Sequence, residues 1–427
     1  MNKKISFYTL GCRANQYDTE MMKEKLKVKY QIVPFGPESD IYIINTCTVT
    51  GKADSKSRKY IRKASRWGGL VLVTGCYPVL DREEIEEIDG VDFVLTNRNK
   101  NNILEILRER NENNGENLGK SWSLNEQKIS RDTRHTRAFL KIQDGCDKDC
   151  SYCKIKYVRG PSRSKSRKNV KKEVDSLLEN GYPEIVLTGI DLADYGESKK
   201  DLPRLLKELS NKKGLERLRL SSINIDGITP EIIEVFKEEK ELCPHFHIPL
   251  QSGSDKILRS MRRGYKASKY LETIQNLKTN LRGVTFGTDI MIGFPGEKEE
   301  DVEKTEKILK EIVYINYHLF PFSPRNYTDA SSLPGQIPYE TKKKREKRLK
   351  EIGSKKAKEE KEKFIGSKRE LILEEESSKT GYWRGYTKNY IDVHIPSLPK
   401  KYEREGNILE VKIEKVEYSH CVGSMLT

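Results

Sequence analysis

The sequence predicts an α/β chain in three parts. They are an N-terminal parallel α/β sheet domain, a central partial (β/α)6 barrel of the TIM type and a C-terminal small β-barrel. Three observations carry this. Apolar strand patterns alternate with amphipathic helical patterns between residues 5 and 96. After a polar, aperiodic break the alternation resumes and runs through six strands between residues 138 and 322. From Phe364 to Thr427 short strand patterns follow one another, with Gly-containing turns. Strand–helix alternation implies a parallel sheet covered by helices, and consecutive short strands imply a barrel or sheet.

In the first part, over residues 1–110, ISFYTL (Ile5 to Leu10) precedes an amphipathic stretch from Gln16 to Lys27. IYIINT (Ile41 to Thr46) precedes a basic helix from Lys52 to Arg66. LVLVTG (Leu70 to Gly75) precedes DREEIEEI, and VDFVLT (Val91 to Thr96) closes the set. Residues 111–135 lack periodicity and read as a linker. In the second part, over 136–340, the strands are AFLKIQ, EIVLTG, RLRLSS, HFHIPL, VTFGTDIMIG and INYHLFPF. Barrels of this type place their chemistry at the C-terminal strand ends. Residues 341–363 are densely charged and predict an exposed connecting helix. Residues 364–427 complete the chain, with RELILE, YIDVHI and ILEVKIEKV as strands.

The 427 residues carry 80 Lys and Arg against 65 Asp and Glu, a net charge of +15. That balance fits a polyanionic partner, nucleic acid first, and equally a Lys-rich solvated surface. No apolar run approaches the roughly 20 residues of a membrane helix. The start, MNKKISFYTLGC, has too short an apolar run for a signal peptide. The expectation is a cytoplasmic protein with no membrane partner. In a reducing compartment its eight cysteines point to metal or redox chemistry rather than disulfides.

CDKDCSYC places Cys146, Cys150 and Cys153 within eight residues, just past the first barrel strand. Three thiols suit one face of an iron–sulfur cluster and leave one iron open. Zinc would want a fourth ligand nearby, and the sequence shows none. Tyr152 is placed to shield such a cluster. Cys12, Cys47 and Cys76 each follow a strand of the first part directly. Parallel strands point one way, so these thiols should gather at one sheet edge, where such sheets bind ligands. Any one of them alone reads equally as a small core residue. Gly11 and Gly75 allow close backbone approach, and Thr46 and Thr48 offer hydroxyls near sulfur. Cys243 and Cys421 read as structural.

C-x3-C-x2-C after a first barrel strand resembles the radical S-adenosylmethionine (SAM) enzymes. TLGCRANQYDTE, INTCTVTGKADSKSR, VTGCYP, LKIQDGCDKDCSYCKIKYVRGPSRS, EIVLTGIDLADYG, HIPLQSGSDKILRSMRRGY and DIMIGFPGE together resemble the methylthiotransferases of that family. INTCTVT, VLTGI, LSSI and GYTKNY look most like the subgroup that modifies N6-threonylcarbamoyladenosine beside the tRNA anticodon. One departure is KIKY (Lys154 to Tyr157), where relatives usually carry an apolar pair and a proline. The C-terminal part resembles the TRAM type of RNA-binding barrel.

The resemblance implies two four-iron clusters. Cys12, Cys47 and Cys76 would hold the auxiliary, sulfur-carrying one. Cys146, Cys150 and Cys153 would hold the SAM-binding one. It implies two SAM per turnover, one methylating sulfur and one giving the radical that removes hydrogen from adenine C2. It implies tRNA as partner, an electron donor such as a flavodoxin or ferredoxin, and a sulfur donor that the sequence leaves unknown. Catalysis is then cofactor-driven, with no catalytic side chain assigned. Candidate SAM contacts at strand ends are Thr188, Gly189, Ser222, Gln251 and Asp289; turn and cap chemistry is the other reading. His245 and His247 read as ordinary hydrogen-bonded histidines. Candidate RNA contacts are Arg134 and Arg137 before the barrel, whose other reading is pairing with carboxylates, and Lys342, Lys343 and Arg345 in the charged helix, whose other reading is a solvated connecting helix. Trp383, Tyr386 and Tyr390, interleaved with Arg384 and Lys388, offer base stacking, and the core of a small β domain with surface aromatics is the other reading. Alternative readings keep the chemistry on isopentenyladenosine in tRNA or on a ribosomal-protein aspartate, or take a non-enzymatic iron–sulfur RNA-binding protein.

Overall fold

The computed structural model describes residues 3–108, 123–133, 135–378, 380–417 and 420–426. The linker expected over 111–135, and Arg134 with it, therefore lies largely outside the described residues. The first sheet holds β1 (Lys4–Thr9), β2 (Gln31–Val33), β3 (Ile41–Thr46), β4 (Leu70–Gly75) and β5 (Phe93–Val94). All pair in parallel in the order β2-β1-β3-β4-β5. Every residue of β3 and β4 is buried, as parallel strands covered on both faces require. The edge strand β2 was not expected; QIV is too short and too exposed to show a period.

The central part contains β6 (Ala138–Lys141), β7 (Gln143–Asp144), β8 (Arg163–Ser164), β9 (Glu184–Thr188), β10 (Arg217–Leu220), β11 (His245–His247), β12 (Thr285–Ile292) and β13 (Asn316–Pro321). The six expected barrel strands form two parallel sheets, β6-β9-β10 and β11-β12-β13. Isolated bridges Leu218–Leu242 and Ser222–His247 join the halves into one partial barrel. β7 and β8 pair antiparallel and flank the cysteine loop. Strand alternation sends Leu140, Leu187, Leu218, Phe286 and Ile290 into the apolar shell beneath the helices. Alternate positions, among them Glu184, Arg219, His245, His247 and Asp289, give the interior a polar column.

Helix Tyr339–Glu362 is the expected charged connection. It docks on β13, where Tyr317 donates its hydroxyl to the Lys350 carbonyl at 3.0 Å. The terminal part is a closed barrel of β14 (Lys368–Glu376), β15 (Trp383–Thr387), β16 (Asp392–Ile395), β17 (Ile408–Glu417) and β18 (His420–Met425). Its β15–β16 turn inserts at the base of the central barrel. There Tyr390, at φ 65°, stacks on His245 with ring centroids 4.8 Å apart. No helix among the described residues is long and apolar enough to cross a membrane.

Candidate functional site

Cys47 and Cys76 follow β3 and β4 directly, Cys12 stands three positions past the end of β1, and the structure gathers the three at one sheet edge. The Cys76 amide donates to the Thr46 carbonyl at 3.1 Å, which sets the last two loops side by side. Asn15, at 1% exposure, ties the first loop to the second by donating to Leu10 and Thr46 carbonyls, both at 2.8 Å. Gly11 sits at φ 100°, and a Cβ there would lie 3.1 Å from Cys47 Sγ. Gly75 sits at φ 110°, and a Cβ there would run into the Thr46 backbone. Burial, then the nearby Cys76 and Cys12, push the Cys47 thiol up to about 12. Asn97 donates to Cys76 Sγ at 3.7 Å, and Asn15 Oδ1 stands 3.9 Å from it. The threonine hydroxyls have other work. Thr46 donates to the Thr74 carbonyl at 2.6 Å, and Thr48 accepts from Arg325 at 3.0 Å.

The surroundings fit an iron–sulfur cluster. Lys100, Lys141 and Arg159 are buried against Asp18 and Asp144, three cations for two carboxylates. One positive charge is left over, and Arg159 and Lys100 both feel Cys76. An excess buried charge of that sign wants an anion, which a thiolate-bound cluster supplies. Amide donors on ligand sulfur are the supporting contacts such clusters use.

The second trio lies on the loop between β7 and helix Ile155–Arg159. Arg263 donates to Cys150 Sγ at 3.4 Å, and the Ile155 amide to Cys153 Sγ at 3.5 Å. Burial pushes the Cys153 thiol up to about 12 and the Cys146 thiol to about 11. Cys146 Sγ and carboxylate oxygens of Asp191 and Asp194 lie within 4.8 Å of one another. Lys148 answers that charge, 3.2 Å from Asp191 and 2.9 Å from Asp226, so the acids do not form a free cation site. Three thiols remain as the donor set, which fits a cluster with one open iron.

A cavity of about 370 Å³ lies between the trios, with Cys76 from one and Cys153 from the other in its wall. Tyr152, Met291, Phe320 and Phe322 make its apolar side. Gln251, Asp289, His318 and Lys154 make its polar side. Gln251 adopts φ 64° and its buried Oε1 has no partner. Asp289 meets His247 at 3.2 Å and His318 at 3.1 Å. Burial alone would raise the Asp289 carboxyl, but these two hydrogen bonds outweigh it and hold it well below the usual range. His245 is likewise hydrogen-bonded, to Thr285 at 2.9 Å.

Of the expected SAM contacts, Gln251 and Asp289 therefore reach the cavity. Thr188, Gly189 and Ser222 do not line it. The Thr188 carbonyl accepts from Ile142 at 2.9 Å, Gly189 abuts the Gln143 side chain, and Ser222 forms the bridge to β11. Several of the expected RNA contacts are engaged within the chain, in line with the other reading of those residues. Arg137 is buried and pairs with Glu374 at 2.6 Å. Tyr386 stacks on Tyr390 and lies 4.8 Å under the Arg137 guanidinium. Lys342 is buried and donates to the Phe322 carbonyl at 2.9 Å. Arg345 pairs with Glu297 at 2.8 Å. Trp383 is half-buried against the terminal core, and Lys343 stays exposed. Sequence reasoning missed Asn15, Asn97, Arg159, Lys154 and His318. TLGCRANQYDTE and VRGPSRS did contain the first and third as unassigned polar residues beside cysteine motifs.

Residues 4–96 match the model of Uncharacterized protein family UPF0004, and residues 140–309 that of the Radical SAM superfamily. The threonylcarbamoyladenosine tRNA methylthiotransferase MtaB of Aquifex aeolicus is 38% identical, over 96% of this chain and 100% of its own. That of Bacillus subtilis is 37% identical, over 99% and 96%. The tRNA-2-methylthio-N(6)-dimethylallyladenosine synthase of Aquifex aeolicus is 30% identical, over 100% and 99%. Among solved structures, the radical SAM methyltransferase TsrM of Kitasatospora setae shares the fold. Its TM-score is 0.60 at 13% identity, over 78% of this chain and 77% of that one. With both cysteine trios in place around one cavity, the chain belongs to the radical SAM methylthiotransferases, in their threonylcarbamoyladenosine tRNA branch.

Proposed function

We propose that this chain adds a methylthio group to C2 of N6-threonylcarbamoyladenosine beside the anticodon of tRNA. The observation that carries the reading is the cavity whose wall holds both Cys76 and Cys153, a space open to both cysteine sites. Cys146, Cys150 and Cys153 hold the SAM-binding cluster in this reading, and Cys12, Cys47 and Cys76 the sulfur-carrying one. When bound, those groups supply a one-electron route to a carbon radical and the sulfur to be transferred. An aromatic C2–H is not acidic, so the general bases of the cavity wall are no substitute. The chain's own residues bind, orient and exclude water. Met291, Phe320 and Phe322 keep the space dry, and Gln251 and Asp289 offer polar groups to the SAM nucleoside. A flavodoxin- or ferredoxin-type protein is the reductant we assign, and a cytoplasmic location is the one that suits a tRNA substrate. The test is nucleoside mass spectrometry of tRNA from cells lacking the gene. The methylthio form of threonylcarbamoyladenosine should vanish. Its persistence, with loss of the isopentenyl counterpart, would move the assignment to that substrate.

A further inference from the structure

Arg13 follows Cys12 and turns away from the thiols toward the barrel interior. Its guanidinium carbon lies 5.2 Å from the centroid of the Phe139 ring on β6. Its Nη2 donates to the hydroxyl of Tyr390 at 3.0 Å, across 377 positions of sequence. The position is half-buried. Its charge is felt at His245 and Tyr390 in the interior and at His318 in the cavity wall.

Arg13 stands outside the cavity wall itself, and the cations in that wall, Lys154 and His318, already face carboxylates. Lys154 meets Asp81 at 3.1 Å, His318 meets Asp289 at 3.1 Å, and Arg325 and Arg159 pair with Asp54 and Asp144. Among the described residues Arg13 has no acidic partner; Phe139 and Tyr390 are its contacts. A partly desolvated guanidinium without a counter-ion is costly to keep. An aromatic ring and a phenol hold it in one orientation and leave donors of its planar fork unused, which is the form that binds a carboxylate through two hydrogen bonds.

The ligand chemistry follows. A threonylcarbamoyl group ends in a free carboxylate, whereas an isopentenyl group carries no charge. SAM also carries a carboxylate, so the shared chemistry is a carboxylate on an adenine nucleoside. Two placements favour the substrate. Arg13 is joined to the cysteine trio on the sulfur side, and a different arginine, Arg263, stands 3.4 Å from Cys150 on the SAM side. We propose that Arg13 binds the threonyl carboxylate of the target nucleoside and so selects it over adenosines with an uncharged N6 group. The proposal rests on the function given above and names the residue behind its specificity.

The test measures binding to the iron-loaded, full-length enzyme. One anticodon stem-loop carries threonylcarbamoyladenosine, a second carries the same group as its neutral carboxamide, and SAM is titrated separately. Wild type should prefer the carboxylate form by on the order of tenfold or more, the size of one charge-assisted contact. Arg13→Gln should erase that preference while SAM affinity holds, and Arg13→Lys should restore part of it. An undiminished preference in Arg13→Gln overturns the proposal, as does a loss confined to SAM affinity. Iron is counted in each variant. If Arg13→Gln loses iron, Tyr390→Phe decides, because it removes the hydrogen bond that aims the guanidinium and leaves every residue of the cysteine loops in place. There the preference should fall about threefold; no change overturns the proposal. A wild-type enzyme that binds neither stem-loop refutes the substrate reading itself, and the proposal with it.

Discussion

Arg159 grips Asp144 with two hydrogen bonds from one nitrogen, at 2.8 and 2.9 Å, and reaches across to Asn15 and Asp18 of the first domain. It lies six residues after Cys153, yet its other end stands beside Cys76. One short helix thus joins the two cysteine sites mechanically and electrostatically. Arg159→Met should remove the surplus buried positive charge and leave Asp18 and Asp144 to Lys100 and Lys141. The lost hydrogen bonds to charged groups cost roughly 1.5–3 kcal/mol each. The expected result is a lower thermal midpoint together with loss of iron from the Cys12–Cys47–Cys76 site. Unchanged iron content would show that Arg159 serves domain packing alone.

Gly75→Ala should act like Cys76→Ala on metal content. The alanine would have to hold φ 110° with its Cβ driven into Thr46. A strained backbone of that kind costs about 1–3 kcal/mol, and clash adds to it. Both variants should keep about half of the wild-type iron, and 5′-deoxyadenosine should still form from SAM under reductant. Full iron in Gly75→Ala would mean that the β4 loop can move without losing its ligand.

The cavity pair Asp289–His318 should give a pH signature. Its hydrogen bond to Asp289 raises the His318 imidazole above its ordinary value. Burial and His394 lower His420, and burial and Arg219 hold His245 well below that value. A raised histidine contributes stability that is whole below about pH 6.5 and is lost as pH rises through the raised value. NMR titration should find His318 ionising above the other two, and His318→Gln should delete that resonance. The His318 side chain is 74% exposed, so salt should shrink the effect. A His318 that titrates below His420 would contradict the pairing.

Much of the site was legible because parallel strands carry their own addresses. VLVTGC reads as a buried strand ending in a thiol, and β4 with Cys76 is that. Three such endings on one sheet could only converge. What connects the two trios was not legible, because Asn15, Asn97 and Arg159 act across domain boundaries that no local period encodes. WRGYTKNY left two readings open for the same reason. Aromatic and basic residues interleaved on a strand look alike whether they await RNA or fill the base of a neighbouring barrel. Tyr386 and Tyr390 do the second, against Arg137, Arg219 and His245. In helix Tyr339–Glu362 the dense charge hid which face docks, and so hid the burial of Lys342.

Glu184 is the fastening of the terminal barrel. It is fully buried at the start of β9, 2.7 Å from Arg219 and 3.6 Å from both Arg137 and Arg217. Arg217 donates onward to the Tyr386 carbonyl at 2.9 Å, and Arg219 to those of Thr387 and Lys388 at 3.2 and 2.9 Å, at the end of β15 and the start of the β15–β16 turn. Burial alone would raise the Glu184 carboxyl, but the three guanidinium groups outweigh it and bring it to about 2. A depressed carboxyl contributes stability that is whole above the unfolded value of about 4.3 and is lost as pH falls toward the folded one. Glu184→Gln should therefore lack at neutral pH the stabilisation that wild type loses when this one carboxyl is protonated. Three arginines would face one another across a neutral amide, at a cost of roughly 3–5 kcal/mol. The measurement is limited proteolysis at neutral pH. The variant should release a C-terminal fragment beginning near the end of helix Tyr339–Glu362, while wild type resists. Equal resistance would show that the turn is held by Tyr390 and its stacking on His245, and not by the charge of Glu184.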